Sequence, residues 1–143
     1  MEIQIHVPAI PVAQPRARAT TFGGHARMYE DEKHPVAAFK ATVRYAFQQE
    51  YTGAPLQGPL DCSITFVLPR PQSMVWKTRD MPRARHAKKP DRDNLDKAVM
   101  DALKGIAWID DAQVCDGRIQ KWIAAGDEQP HAVITIRQLE GVA

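Results

Sequence analysis

Ile3, Ile5 and Val7 alternate with Glu2, Gln4 and His6 at the start of the chain, the two-residue period of a strand with one buried face. Pro8, Pro11 and Pro15 then stop regular structure. The stretch PRARATTFGGHARMY (15–29) reads as a long loop, with Gly23-Gly24 as a turn or tip. Over about 35–51 the period becomes helical: Pro35 suits a first turn, Ala38, Phe39, Val43, Ala46 and Phe47 recur on one face, and Gly53 and Pro55 close it. Leu60, Cys62, Ile64, Phe66 and Leu68 alternate again and predict a second strand. A second helix is predicted from near Asp93 to Gly105, with Leu95, Val99, Ala102, Leu103 and Ile106 on its buried face. One strand follows over roughly 113–124 and another over HAVITIRQL (131–139), with 126–130 read as a hairpin turn between them. This order predicts an α+β fold, a mixed or antiparallel sheet with two helices packed on one face.

A length of 143 residues fits one domain, taken to span 1–143. No apolar run approaches the roughly 20 residues of a membrane span. The first ten residues also lack the basic start and apolar core of a signal peptide. A cytoplasmic protein with no membrane partner is expected. Cys62 and Cys115 have no neighbours at metal-ligand spacing and are expected to be small core residues, and the five histidines form no metal-binding pattern.

The net charge of +2 conceals a segregation. Between positions 70 and 89, Arg70, Lys77, Arg79, Arg83, Arg85, Lys88 and Lys89 face the single acid Asp80. Arg16, Arg18 and Arg27 form a second basic stretch, and the acids gather from Asp91 onward. Two solvated loops would give the same charge pattern. A protein that attracts a polyanion while holding a cation also needs it. Trp76, among the cations, is a candidate for stacking on a base.

Candidate chemistry lies in KPDRDNLDKAVMDAL and WIDDAQV. Asp91 and Asp93 stand two apart in an extended segment before a helix, so both carboxylates can face one point. The positive helix N-terminus favours their ionised form. Asp110 and Asp111, at the start of a strand, could close the site from another element. Carboxylates gathered in this way suit magnesium or manganese, and ions so held activate water and stabilise a phosphodiester leaving oxygen. Lys97 lies one helical turn beyond Asp93. It could neutralise a phosphate, orient a water or hold Asp93. Taken singly, these features have plainer explanations: a helix cap at Asp93 and Asp96, an Asp93–Lys97 surface pair, a turn at Asp110-Asp111. The basic loop running straight into Asp91 favours the nuclease.

The string D-x-D-N-L-x-K-x-x-x-D-A-L, here Asp91, Asp93, Asn94, Leu95, Lys97, Asp101, Ala102 and Leu103, resembles the RusA family of Holliday junction resolvases, many of them phage or prophage proteins. So does W-x-D-D-x-Q-V, here Trp108, Asp110, Asp111, Gln113 and Val114, and more weakly the PRARAT stretch and Lys121. The resemblance implies Asp91, Asp93 and Asp111 as metal ligands, Lys97 as the basic residue needed for cleavage, and Asn94, Asp101 and Asp110 in support. It implies a magnesium-dependent homodimer, with manganese as the other candidate, that nicks a four-way DNA junction in a paired fashion within the bacterial nucleoid. Arg16, Arg18, Lys88, Lys89, Lys97 and Lys121 would contact the branched DNA. The 69–90 loop is longer than in the shortest family members, which bears on junction and sequence selectivity. Two other functions fit the same residues, a catalytically silent branched-DNA-binding dimer and a small metal-dependent phosphoesterase. The intact acids disfavour the first. The second would need no pair of basic loops.

Overall fold

A computed structural model describes residues 1–15, 18–22, 25–29 and 34–141, the stretches 18–22 and 25–29 through their backbone. The elements in chain order are β1 (Glu2–Val7), β2 (Arg18–Phe22), β3 (His25–Tyr29), α1 (Pro35–Glu50), β4 (Leu60–Leu68), β5 (Ala84–Arg85), α2 (Arg92–Leu103), β6 (Val114–Asp116), β7 (Ile119–Ile123) and β8 (His131–Gln138). The main sheet runs β1-β8-β4-β7-β5, with β6 also paired to β4. It is mixed: β4 runs parallel to β6 and β7 and antiparallel to β8. The fold is thus α+β with a mixed sheet and two helices, as the alternation of periods predicts.

One row shows how the sheet is filled. Ile5, Ile134, Ile64 and Ile119 lie side by side on four adjacent strands. They belong to a core completed by Val36, Phe39, Val43 and Phe47 of α1 and Leu95, Val99 and Leu103 of α2. Both helices therefore cover one face. The opposite face carries Gln4, Ser63, Thr65, Gln120 and Thr135, a polar surface. α1 begins at Pro35, with His34 Nδ1 accepting from the Val36 amide at 3.1 Å.

Four expectations need correction. The 15–29 stretch is not a loop throughout, because its described backbone forms the antiparallel hairpin β2–β3, pairing Arg18 with Tyr29 and Phe22 with His25. Thr20, Thr21 and Phe22 favour extended backbone, a preference masked by the surrounding basic residues. The Gly23-Gly24 tip lies outside the described residues. The 113–124 strand is broken in two at Gly117 (φ +146°), where any side chain would collide with the Cys62 carbonyl. Residues 126–130 do not close a hairpin between β7 and β8. β4, buried along most of its length, takes the centre of the sheet and separates β7 from β8. Finally, Cys62 is buried, its thiol pushed up to about 12 by that burial, but Cys115 is exposed on the short strand β6.

Candidate active site

The site is built around the head of α2. Asp91 is the N-cap residue, with extended backbone (φ −70°, ψ 143°), and its side chain makes no capping hydrogen bond. The helix therefore leaves that carboxylate free, although a capping aspartate usually accepts from the first turn. Asp93 follows inside the first turn, as the acidic residue of that turn, and is exposed. Asn94 is half-exposed, and its carbonyl accepts from the Gln14 amide at 2.8 Å, so the N-terminal arm crosses the first turn of α2. Ala13, Lys89, Pro90, Asp91 and Asn94 line an open groove of about 650 Å³ there.

Asp111 comes from a separate element. It opens a 3-10 turn (Asp111–Gln113), and its Oδ1 accepts from Trp108 Nε1 at 2.8 Å. Trp108 is fully buried, so this carboxylate hangs from a rigid ring. Asp110 is occupied otherwise. Its side chain caps the turn by accepting from the Ala112 amide at 2.9 Å. Gln113 completes the box, its Oε1 accepting from the Ile109 and Asp110 amides and its Nε2 donating to the Leu56 and Gly58 carbonyls. The two acids thus divide into one that holds the turn and one that the turn presents.

Asp96, half-buried one turn past Asp93, joins them. Its carboxyl is held above the ordinary range first by burial, then by Asp111, with Arg92 opposing and Asp93 adding to the rise. Asp96 therefore lies within electrostatic reach of both Asp93 and Asp111. In the sequence alone Asp96 stands out only as a cap partner of Asp93. The i, i+3 spacing from Asp93 was the signal that places the two on one helical face.

Lys97 is exposed and makes no hydrogen bond or ion pair among the described residues. Asp101, which could have neutralised it, pairs with Lys40 of α1 at 2.7 Å instead. Lys40 is itself buried, so Asp101 serves the helix–helix interface. Lys121 does not face outward. Its Nζ donates to the Lys88 carbonyl at 2.6 Å and the Pro90 carbonyl at 2.7 Å. Lys88 and Lys89 are exposed beside the groove. Arg16 lies outside the described residues, and Arg18 is placed on β2 by its backbone alone.

The 69–90 segment is folded onto the sheet. Arg70 donates to the Met74, Pro82 and Ala124 carbonyls, and Arg83 Nε donates to both Glu128 oxygens at 2.9 Å. Arg85 lies 4.0 Å from the Trp122 ring centroid. Trp76 has Arg79 at 3.8 Å and Arg70 at 4.8 Å over its ring, so a stacking base would have to displace a guanidinium. Arg79, Arg83 and Arg85 are exposed but engaged in these contacts, whereas Lys77, Lys88 and Lys89 are exposed with no side-chain hydrogen bond or ion pair among the described residues.

Among the described residues, no three His, Cys, Asp or Glu side chains are gathered closely enough to hold an ion between them. In kind, though, the donors suit a hard divalent cation: all are carboxylate oxygens, and Asp96, raised first by burial, also feels the charge of Asp111 and Asp93. Magnesium commonly takes one or two protein carboxylates and completes its shell with water and substrate phosphate. This arrangement fits such a site.

Comparison with known proteins agrees with the geometry. The family model described as endodeoxyribonuclease RusA matches residues 8–137. The uncharacterized protein YqaN of Bacillus subtilis (strain 168) is 30% identical over 142 residues, covering 96% of each chain. No helix among the described residues is long and apolar enough to cross a membrane.

Proposed function

We propose, since the chain belongs to the RusA endodeoxyribonuclease family, that it acts as a magnesium-dependent homodimer that resolves four-way DNA junctions by paired, symmetric nicks. The observation that carries this is the presentation of Asp111 by the buried Trp108 toward an α2 head whose own acids, Asp91 and Asp93, are not spent on capping. Asp91, Asp93 and Asp111 would supply the carboxylates for magnesium, or manganese in its place, one or two of them binding the ion directly while water and substrate phosphate complete its shell, with Asp96 beside them. A bound ion there would supply an activated water and charge neutralisation at the phosphodiester.

The chain's own residues do the rest. Lys88 and Lys89 draw the DNA backbone toward the groove, a sequence-independent attraction that salt screens. Lys97, with no partner among the described residues, meets the negative charge that builds on the phosphate during cleavage. The cap at Asp110 and the bracing by Gln113 keep Asp111 in register. Asp101 supports this indirectly by locking α1 to α2 through Lys40. A four-way junction is two-fold symmetric, so an isologous pair presents one site to each of two equivalent strands. The protein would then work in the bacterial cytoplasm, on DNA of the nucleoid.

The test is incubation of the protein with labelled four-way junction and linear duplex, in magnesium and then in chelator. Junction cleavage in magnesium, lost in chelator, is expected. Asp91→Asn and Asp111→Asn are each expected to abolish cleavage and leave junction binding intact or tighter, because each removes a negative charge near DNA. Near-wild-type cutting by either variant would overturn the site. Tight junction binding without any cleavage would favour the silent DNA-binding protein.

A further inference from the structure

We infer that Lys121 is a positioning residue that sets the approach to Asp91, rather than a DNA contact; this rests on the nuclease activity proposed above.

Strand alternation carries the first part of the case. Ile119, Lys121 and Ile123 share one face of β7, while Gln120 and Trp122 point to the other. Lys121 sits in register with Phe66, which is fully buried on the helix-covered face. A lysine therefore occupies an inward strand position where an apolar residue is ordinary, and the surface cation position on this strand is not its own. An ammonium in that place needs acceptors. It has two, the carbonyls of Lys88 and Pro90, at 2.6 and 2.7 Å. Bonds from a charged donor at these lengths are the stronger kind.

What Lys121 grips is the second part. Its own carbonyl accepts from the His86 amide at 3.2 Å, so the same residue holds the segment at three points between His86 and Pro90. The next residue is Asp91, the N-cap of α2. Because Asp91 spends no side-chain hydrogen bond on the helix, nothing in its own cap fixes the direction of the carboxylate. The backbone entering it must do so, and Lys121 fixes that backbone. Lys88 and Lys89, on the same segment, are turned outward and keep their charge for the DNA.

The test compares wild type with Lys121→Met, Lys121→Arg and, as a phosphate-contact control, Lys89→Ala. Lys121→Met is expected to lower kcat and weaken manganese binding, read by calorimetry, by 10- to 100-fold, the usual cost of losing a group that orients a ligand. The salt slope of junction binding should stay as in wild type, and the melting temperature should shift little. Lys121→Arg, which keeps donors, should recover part of both losses. In Lys89→Ala the slope should instead fall by about one. A fall of about one in the Lys121→Met slope, with manganese affinity unchanged, would overturn the inference and make Lys121 a phosphate contact. If wild type neither binds manganese nor cuts DNA, the proposed function fails. Amide exchange over 86–95 then still decides this point: faster in Lys121→Met supports the clamp, unchanged refutes it.

Discussion

Asp96 differs from its neighbouring acids in burial, and the difference has a measurable sign. Its carboxyl is held above the usual range by burial, then by Asp111, with Asp93 adding to these. The folded chain thus holds this proton more tightly than the unfolded chain does. The stability so gained is complete below the ordinary aspartate range, near pH 4, and is lost as pH rises through the folded value. Asp96→Asn keeps a neutral side chain at every pH. In chelator, it is expected to melt higher than wild type at pH 7, with the gap closing by about pH 4. Magnesium should stabilise wild type more than the variant, since an ion relieves the same crowding. Equal melting at both pH values would remove Asp96 from the site. Lys97 is tested by kinetics. Lys97→Ala is expected to cut kcat on the order of a hundredfold, as for removal of one transition-state donor. Its salt slope should not change, and a lowered slope at constant kcat would give Lys97 the role assigned to Lys89. The motif spacing made Asp91, Asp93, Lys97 and Asp111 legible as candidates. Asp96 was not, because its importance lies in proximity to Asp111, fifteen residues away and on another element. The orientation of Lys121 was hidden too, since a basic residue in a strand says nothing of which face it uses until the pairing with Phe66 is known.

The regular elements were mostly readable, because burial writes a period into the sequence. α1, β1, β4 and β8 lie within a residue or two of the bounds that alternation and helical spacing predict. Elements whose partners are chosen over distance were not. No local signal says that β8 pairs with β1 and β4 rather than with β7, and the break at Gly117 depends on a carbonyl of β4. The basic segment reads as a free loop because a sequence displays its charges and not the partners that hold them. Arg83 grips Glu128, whose carboxyl is pushed down to about 2 by that hydrogen bond, with the Ala125 amide helping. A lowered folded value means stability that is present above the ordinary 4.5 and lost as pH falls toward about 2. Glu128→Gln should therefore melt below wild type at pH 7, and the gap should narrow steadily between pH 5 and 2. Exposure makes the effect small. A gap constant across that range would show that the pair does not anchor the segment.

The whole molecule presents helices on one sheet face and a polar surface on the other, with the site at one end of α2. Sedimentation at micromolar concentration, with and without four-way junction, is expected to give a two-fold dimer in both cases or at least on DNA. A strictly monomeric species that still makes paired nicks would refute the dimer and leave the carboxylate chemistry standing. The sheet order has a further consequence in time. β8, eight residues near the C-terminus, is inserted between β1 at the N-terminus and β4 in the middle. During translation the ribosome must release that strand before the other two share a partner, and contacts between distant parts of a chain form slowly. Until β8 is in place, β1 has no partner in the main sheet among the described residues, whereas β4 can already hold β7, so the edge carrying β1 is ordered after the edge carrying β7.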